Sequence, residues 1–101
     1  MPRMAEIKFS PAARADLKEI GRFSRREFGK AVADKYLLGL DQVLDRFALH
    51  PHSGEAQPKL GKGVRRLSHR SHRIFYEVDG EVVLILRIYH HARDVKRSQL
   101  K

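Results

Sequence analysis

The stretch "RIFYEVDGEVVLILRIYHHARD", Arg73 to Asp94, decides the fold. Its first part alternates, with Ile74, Tyr76 and Val78 on one face, as a strand with one buried side does. Its second part, Val82 to Ile88, is apolar at nearly every position and so reads as a strand covered on both faces, the central strand of a sheet. Asp79-Gly80 between the two is a strong hairpin signal, because the tight turn it favours needs positive φ at both central positions. Arg87 interrupts the apolar run, and a half-buried arginine needs an anionic partner.

Just upstream, "VRRLSHR" (residues 64–70) reads as a more polar strand nearer the sheet edge, which completes a three-stranded antiparallel meander. The loop "HPHSGEAQPKLGKG" before it carries Pro51, Gly54, Pro58, Gly61 and Gly63. Further back the period changes to 3.6. Ala33, Tyr36, Leu37, Leu40, Val43, Leu44, Phe47 and Ala48 form a wide apolar stripe over about five turns of helix. An earlier helix opens at Ser10, an N-cap type, with Pro11 at its first position, and places Ala13, Leu17, Ile20 and Phe28 near one face. Gly29 ends it, so the two helices should form an antiparallel hairpin. Gly39 inside the second helix costs about 1 kcal/mol relative to alanine and is a candidate for a close helix crossing. "EIKFS" at the start reads as a short strand. The order strand, helix hairpin, antiparallel strands predicts an α+β fold with both helices on one face of a single sheet.

At 101 residues the chain suits one domain, spanning 1–101. No apolar run approaches the ~20 residues of a membrane helix, and the N-terminal stretch lacks the apolar core of a secretory signal. There is no cysteine, which excludes disulfides and thiolate metal sites and suits the cytoplasm. The net charge of +9 is uneven: residues 1–58 carry 10 Lys/Arg against 8 Asp/Glu, and residues 59–101 carry 11 against 4. Such a basic second half points to an anionic partner, nucleic acid or an acidic protein surface.

Arg65, Arg66, Arg70, Arg73 and Arg87 all fall on the predicted strands or their turns, and a sheet face lined with arginine suits phosphates or carboxylates. A solvated sheet face is the plainer alternative. His69 and His72, read along one strand, point to opposite faces, as do the adjacent His90 and His91, so a shared metal is not expected. His90 suits a general acid in RNA cleavage by its near-neutral pKa, or else a strand-end histidine bonded to Asp94 or backbone. Tyr76 and Tyr89, at the sheet edge, suit either base stacking or packing. No nucleophile elbow, phosphate loop or spaced carboxylate pair is present. The residues alone give a basic α+β binding domain or a small ribonuclease.

Taken in order, "SPAARADLKEI" and "HPHSGEAQPKLGKGVRRLSHRSHRIFYEVDGEVVLILRIYHHARD" resemble the ParE toxins of the RelE/ParE superfamily over nearly the whole chain. The resemblance rests on Ser10-Pro11, the Leu17–Ile20 pair, Pro51, Gly54, Arg65 or Arg66, Ser71 to Tyr76, and Arg87 with His90 and Asp94. It implies the toxin of a type II toxin–antitoxin module, without cofactor or metal, neutralised by a ParD-like antitoxin. ParE-like members poison DNA gyrase and block replication, and RelE-like members cut mRNA on the ribosome.

For the nuclease branch, the resemblance would place Arg65, Arg73 and Arg87 on phosphate, with Arg66 beside them, and His90 as the acid. The tail "HHARDVKRSQLK" has no aromatic residue, however, and the loop offers Gln57 in place of a base, with Glu55 its only carboxylate. The proton-transfer set is incomplete, which favours the gyrase inhibitor over the enzyme, with an inactive toxin that only binds its antitoxin as a further alternative. On that reading Arg66, Arg87, His90, Arg93, Asp94, Lys96 and Arg97 face the target, and nucleic acid is met only through it. An acidic, partly disordered antitoxin segment would lie along the helix hairpin and sheet groove, on Leu17, Ile20, Tyr36, Leu40, Arg65 and Arg73.

Overall fold

The structure, a computed structural model, describes residues 4–100. Strand β1 (Glu6–Phe9) leads into helices α1 (Pro11–Phe28) and α2 (Lys30–Phe47), followed by strands β2 (Glu55–Ala56), β3 (Val64–His69), β4 (His72–Asp79) and β5 (Val82–His90). One five-stranded sheet results, in the order β1-β5-β4-β3-β2. The meander is antiparallel, and β1 adds to it parallel to β5, pairing Glu6–Phe9 with Val82–Ile85.

Local chemistry accounts for the helix hairpin. Ser10 caps α1: its hydroxyl accepts from the Ala13 amide at 3.0 Å and donates to the Leu86 carbonyl at 2.7 Å. One serine therefore both starts the helix and ties it to β5. Gly29 ends α1 and begins α2 directly, with φ 86° and ψ 166°, a region open essentially to glycine alone. The close approach of the two helices falls at Gly21, where an added Cβ would lie 3.3 Å from Leu37. Gly39 instead faces the His69 ring, at 3.5 Å from such a Cβ, so the expected crossing glycine serves the sheet contact.

The main core lies between the hairpin and one sheet face, with Ile20, Leu40, Leu44, Phe47, Ile74, Tyr76, Val83, Ile85 and Ile88 buried together. Tyr76 is fully buried, not at an edge, and its ring meets Phe47 edge-on with centroids 4.7 Å apart. Its hydroxyl donates to the Pro51 carbonyl at 2.8 Å and accepts from the Gly54 amide at 3.1 Å. A Cβ at Gly54 would collide with that oxygen, so only glycine lets the loop close on the core. Burial pushes the Tyr76 hydroxyl up to about 12.

The other sheet face is also covered, by the segment after β5. Val64, Phe75 and Tyr89 pack with Leu100, which sits on a turn of 3-10 helix, Arg97–Leu100. Leu86 packs against this second, smaller core, which accounts for the apolar outer side of β5 at its far end, while Val82 and Leu84 belong to neither core and are only partly buried. The middle strand of the five is nevertheless β4, because β1 supplies an outer neighbour for β5.

Three local expectations change. Glu55–Ala56 pairs with Arg65 and Arg66 as a two-residue edge strand inside the expected loop. The hairpin loop is Gly80 with Glu81, since Asp79 still pairs with Val82; Gly80 has φ 58° and Glu81 is not in the positive region. A turn with glycine at its first central position meets the need with one residue in place of two. The register slips between Phe75 and Tyr76, which face Arg87 and Ile85, so Leu86 is a bulged residue.

Candidate functional site

The bulge sets the surroundings of Arg87. Beyond Phe9 the outer edge of β5 has no strand partner among the described residues, and α1 side chains meet it. Asp16 accepts from the Ile88 amide at 2.9 Å and takes the Arg87 guanidinium with two bonds, from Nε at 2.8 Å and from Nη2 at 3.0 Å. The two side chains are 23% and 14% exposed, so the pair is well removed from water. The Asp16 hydrogen bonds raise the Arg87 pKa against the opposing effect of burial. The anion that Arg87 demanded is thus internal. Asp16 was legible as an unusual feature, a carboxylate bordering the Ala13, Leu17, Ile20 stripe, and only pairing it with the arginine in an apolar strand would have found the bridge.

Arg87 also organises the C-terminal segment. Its Nη1 donates to the Gln99 carbonyl at 3.2 Å, and the Tyr89 hydroxyl donates to the same oxygen at 2.6 Å. The guanidinium carbons of Arg87 and Arg93 each lie 4.5 Å from the Tyr89 ring centroid, so the tyrosine is packing, clasped between cations. Arg93, Asp94, Lys96 and Arg97 are exposed around it.

The expected nuclease set does not converge. Directly opposed residues of antiparallel strands share a face. Phe75 opposite Arg87, and Arg73 opposite Tyr89, belong to the face away from the helices, as does Arg66 opposite Phe75. His90 opposes His72, next to Ile74 and Ile88 in the alternation, on the helix-facing side. Arg65 shares that side with Tyr76, but its guanidinium is held by the Gly54 carbonyl at 2.9 Å, far along the strand from His90. Arg66 is paired with Glu55 at 2.8 Å.

The residues expected to hold an antitoxin also divide. Leu40 is 1% exposed and belongs to the core. Leu17 lines a shallow depression of about 550 Å³ beside Leu37 and Leu38 on one flank of the hairpin. Ile20 and Tyr36 line a cleft of about 680 Å³ on the other flank, between the hairpin and the end of the sheet. Arg73 stands on the opposite face of the sheet, and Arg65 is engaged as described.

That second cleft gathers residues the sequence left scattered. Its helical wall carries Phe23, Phe28 and Val32, which are 49%, 63% and 53% exposed. Its sheet wall carries Arg70, His72 and His90. His69 and His72 face each other across the two-residue turn Arg70-Ser71, and His72 faces His90, so all three share one side. The expectation of opposite faces treated residues 69 to 72 as one strand; the turn, with Arg70 at φ 50°, reverses the chain between them. Tyr36 meets both rings, at centroid distances of 5.5 Å and 5.6 Å. His90 Nδ1 accepts from the Ala92 amide at 3.2 Å, and Asp94 is not its partner. Among the described residues, no group of three or more His, Asp or Glu is arranged to hold a metal ion.

A hairpin of helices on one face of a sheet whose last strands form a meander is an α+β fold of the RelE/ParE type, and the comparisons agree. Residues 7–95 match the model of the ParE toxin of type II toxin–antitoxin systems, parDE. Toxin ParE1 of Mycobacterium tuberculosis is 39% identical over 90 residues, 88% of this chain and 92% of the relative. Toxin ParE1 of Caulobacter vibrioides is 32% identical over 93 residues, 92% and 96% of the two chains. A chain from the chromosomal ParDE system of P. aeruginosa superposes with a TM-score of 0.74 at 25% identity, over 86% of this chain and 96% of that one. The E. coli toxin RelE, in a free double-mutant form, shares the fold alone, with a TM-score of 0.56 at 18% identity over 89% and 86% of the chains. The chain belongs to the ParE toxin family and is the toxin component of a type II toxin–antitoxin module.

Proposed function

We propose that this toxin acts in the cytoplasm as a non-enzymatic inhibitor of DNA gyrase and is held inactive by a ParD-like antitoxin. The observation that carries this reading is the division of the nuclease candidates between two sheet faces. Arg73 and Arg87 lie on one face and His90 on the other, and Arg87 is spent on Asp16. A general acid and the cations that steady a phosphate must reach the same reacting group, so the set supports inhibition over RNA cleavage.

Target contact then falls to the exposed cations after β5, Arg93, Lys96 and Arg97, with Asp94 among them. Arg87 acts through Gln99 to position that segment. The antitoxin takes the cleft of Ile20, Phe23, Val32 and Tyr36, an exposed apolar surface of the kind partners cover.

The test is a supercoiling assay with purified toxin, gyrase and plasmid. Accumulation of linear, cleaved DNA that the antitoxin prevents, and that a Lys96→Ala/Arg97→Ala double variant loses while keeping its fold, is the expected result. Intact gyrase function together with cuts in ribosome-bound mRNA would overturn it.

A further inference from the structure

The sheet wall of the cleft gathers ionisable groups that the gyrase-directed segment after β5 does not use. His72 Nδ1 lies 2.6 Å from the Tyr36 hydroxyl oxygen, and the same hydroxyl lies 3.4 Å from the His69 carbonyl oxygen. His90 stands edge-on to His72 at a centroid distance of 5.9 Å, and His91 tilts against His90 at 4.5 Å. The groups around His72 are therefore Tyr36 from α2, His69 from β3, Arg70 from the turn, and His90 and His91 from the end of β5, with Arg46 of α2 acting on His69. One carboxylate borders the cleft, Glu19 on α1, and it is paired with Arg22 at 3.4 Å. Burial first, and then His90, His69 and His91, hold the His72 pKa below its ordinary 6.5. Both influences disfavour the imidazolium in the free toxin.

We propose that an antitoxin carboxylate enters this cleft beside apolar anchors and that its binding adds a proton to His72, so that toxin–antitoxin association is proton-coupled. The inference rests on the cleft being the antitoxin's seat. The hydrogen bonds are arranged for the change. With Nδ1 bare, the Tyr36 hydroxyl donates to it. Once Nδ1 is protonated it donates to the tyrosine oxygen, whose own proton turns toward the His69 carbonyl. His72 Nε2 has no hydrogen bond among the described residues and, unlike the buried and unpartnered Nε2 of His69, is not sealed from solvent, so it is left to donate to the carboxylate. The proton comes from solvent, and one imidazolium balances one carboxylate.

Charge and surface identify the occupant. Arg70, His72 and His90 suit an acid, while the facing wall of Phe23, Phe28 and Val32 suits apolar side chains beside it. That combination fits an acidic peptide with apolar anchors better than a nucleic-acid backbone, which would leave its phosphates against exposed phenylalanine.

The sign follows from linkage. A carboxylate raises the His72 pKa in the complex, so the complex binds more protons than its separated parts. Affinity rises as pH falls through the raised pKa and levels off below the free one, by at most about tenfold per pH unit for each proton taken up.

The experiment is calorimetric titration of the toxin with the purified product of the adjoining antitoxin reading frame, between about pH 8 and about pH 6, in buffers of differing ionisation enthalpy. Expected are proton uptake and tighter binding on acidification, both lost in His72→Gln, with Val32→Glu abolishing binding. If Val32→Glu blocks binding but the wild-type affinity is flat with pH, the proton coupling is wrong and the antitoxin seat stands. If Val32→Glu binds as wild type does, the seat is wrong and the coupling falls with it. Nuclear magnetic resonance of the His72 ring in wild-type toxin gives a reading that needs no folded variant: a pKa that does not rise on complex formation overturns the proposal.

Discussion

The two faces of the sheet are built from alternate residues of the same strands, yet they close in different ways. The helix-facing side is covered by α1 and α2 and buries Ile74, Tyr76, Val83 and Ile85 completely or nearly so. Its larger opening among those described is at the histidine end. The other side is covered by the segment after β5, with Leu100 as the anchor, together with Leu60 from the loop before β3, and is rimmed by cations. A face covered by two long helices gains enough buried area to leave one end for a partner. A face covered by two short turns needs polar ties as well, and Asp16, Arg87 and the Gln99 carbonyl supply them.

The sharpest way to break this contrast is at Asp16, which connects the two sides. Asp16→Ala leaves the Arg87 guanidinium and the Ile88 amide without their acceptor, and a loss of about 4 kcal/mol in denaturant unfolding is expected. Asp16→Asn keeps a neutral acceptor and should lose less. Equal, small losses for both would mean that the pair is ornamental. Next in size, Leu100→Ala should cost about 2 kcal/mol, the low end for a buried leucine, because the small second core can settle into the space. It should also loosen the tail and weaken gyrase inhibition without touching antitoxin binding.

The smallest effect concerns the open end of the helix side. His69 and His72 both have pKa values lowered from 6.5, mainly by burial. The unfolded chain therefore takes up protons at a higher pH than the folded one, and stability present above about pH 6.5 is lost as pH falls toward the lowered values. A loss of stability on acidification, flattened in His72→Gln, is expected from denaturation midpoints measured against pH. Free toxin should thus weaken in acid under the same proton uptake that strengthens its complex, which makes the two measurements checks on each other.

Much of this was legible in the chain, because it depends on neighbours along it. Ser10-Pro11 starts a helix by supplying an acceptor and a preset φ, Gly29 ends it, and alternation from Ile74 to Val78 marks a strand wherever that strand lies. The double apolar character of Val82 to Ile88 announced a second covering without saying what provides it. Arg87 announced an anion without naming Asp16, and the ring of Tyr76 gave no hint that its hydroxyl holds the loop at Gly54.

The histidines show the limit most plainly. Spacing along one strand sends His69 and His72 apart, and the Arg70-Ser71 turn brings them together, because facing across a hairpin is set by register. Composition, periodicity and the turn and cap residues determined the α+β class, the helix hairpin and the antiparallel meander. Only the tertiary structure decided that α1 lends its carboxylate to β5, that the tail folds back on the sheet, and that the nuclease candidates part while the histidines meet. Those outcomes depend on pairings between residues distant in sequence, whose energies come from burial and exchanged hydrogen bonds that no local pattern records.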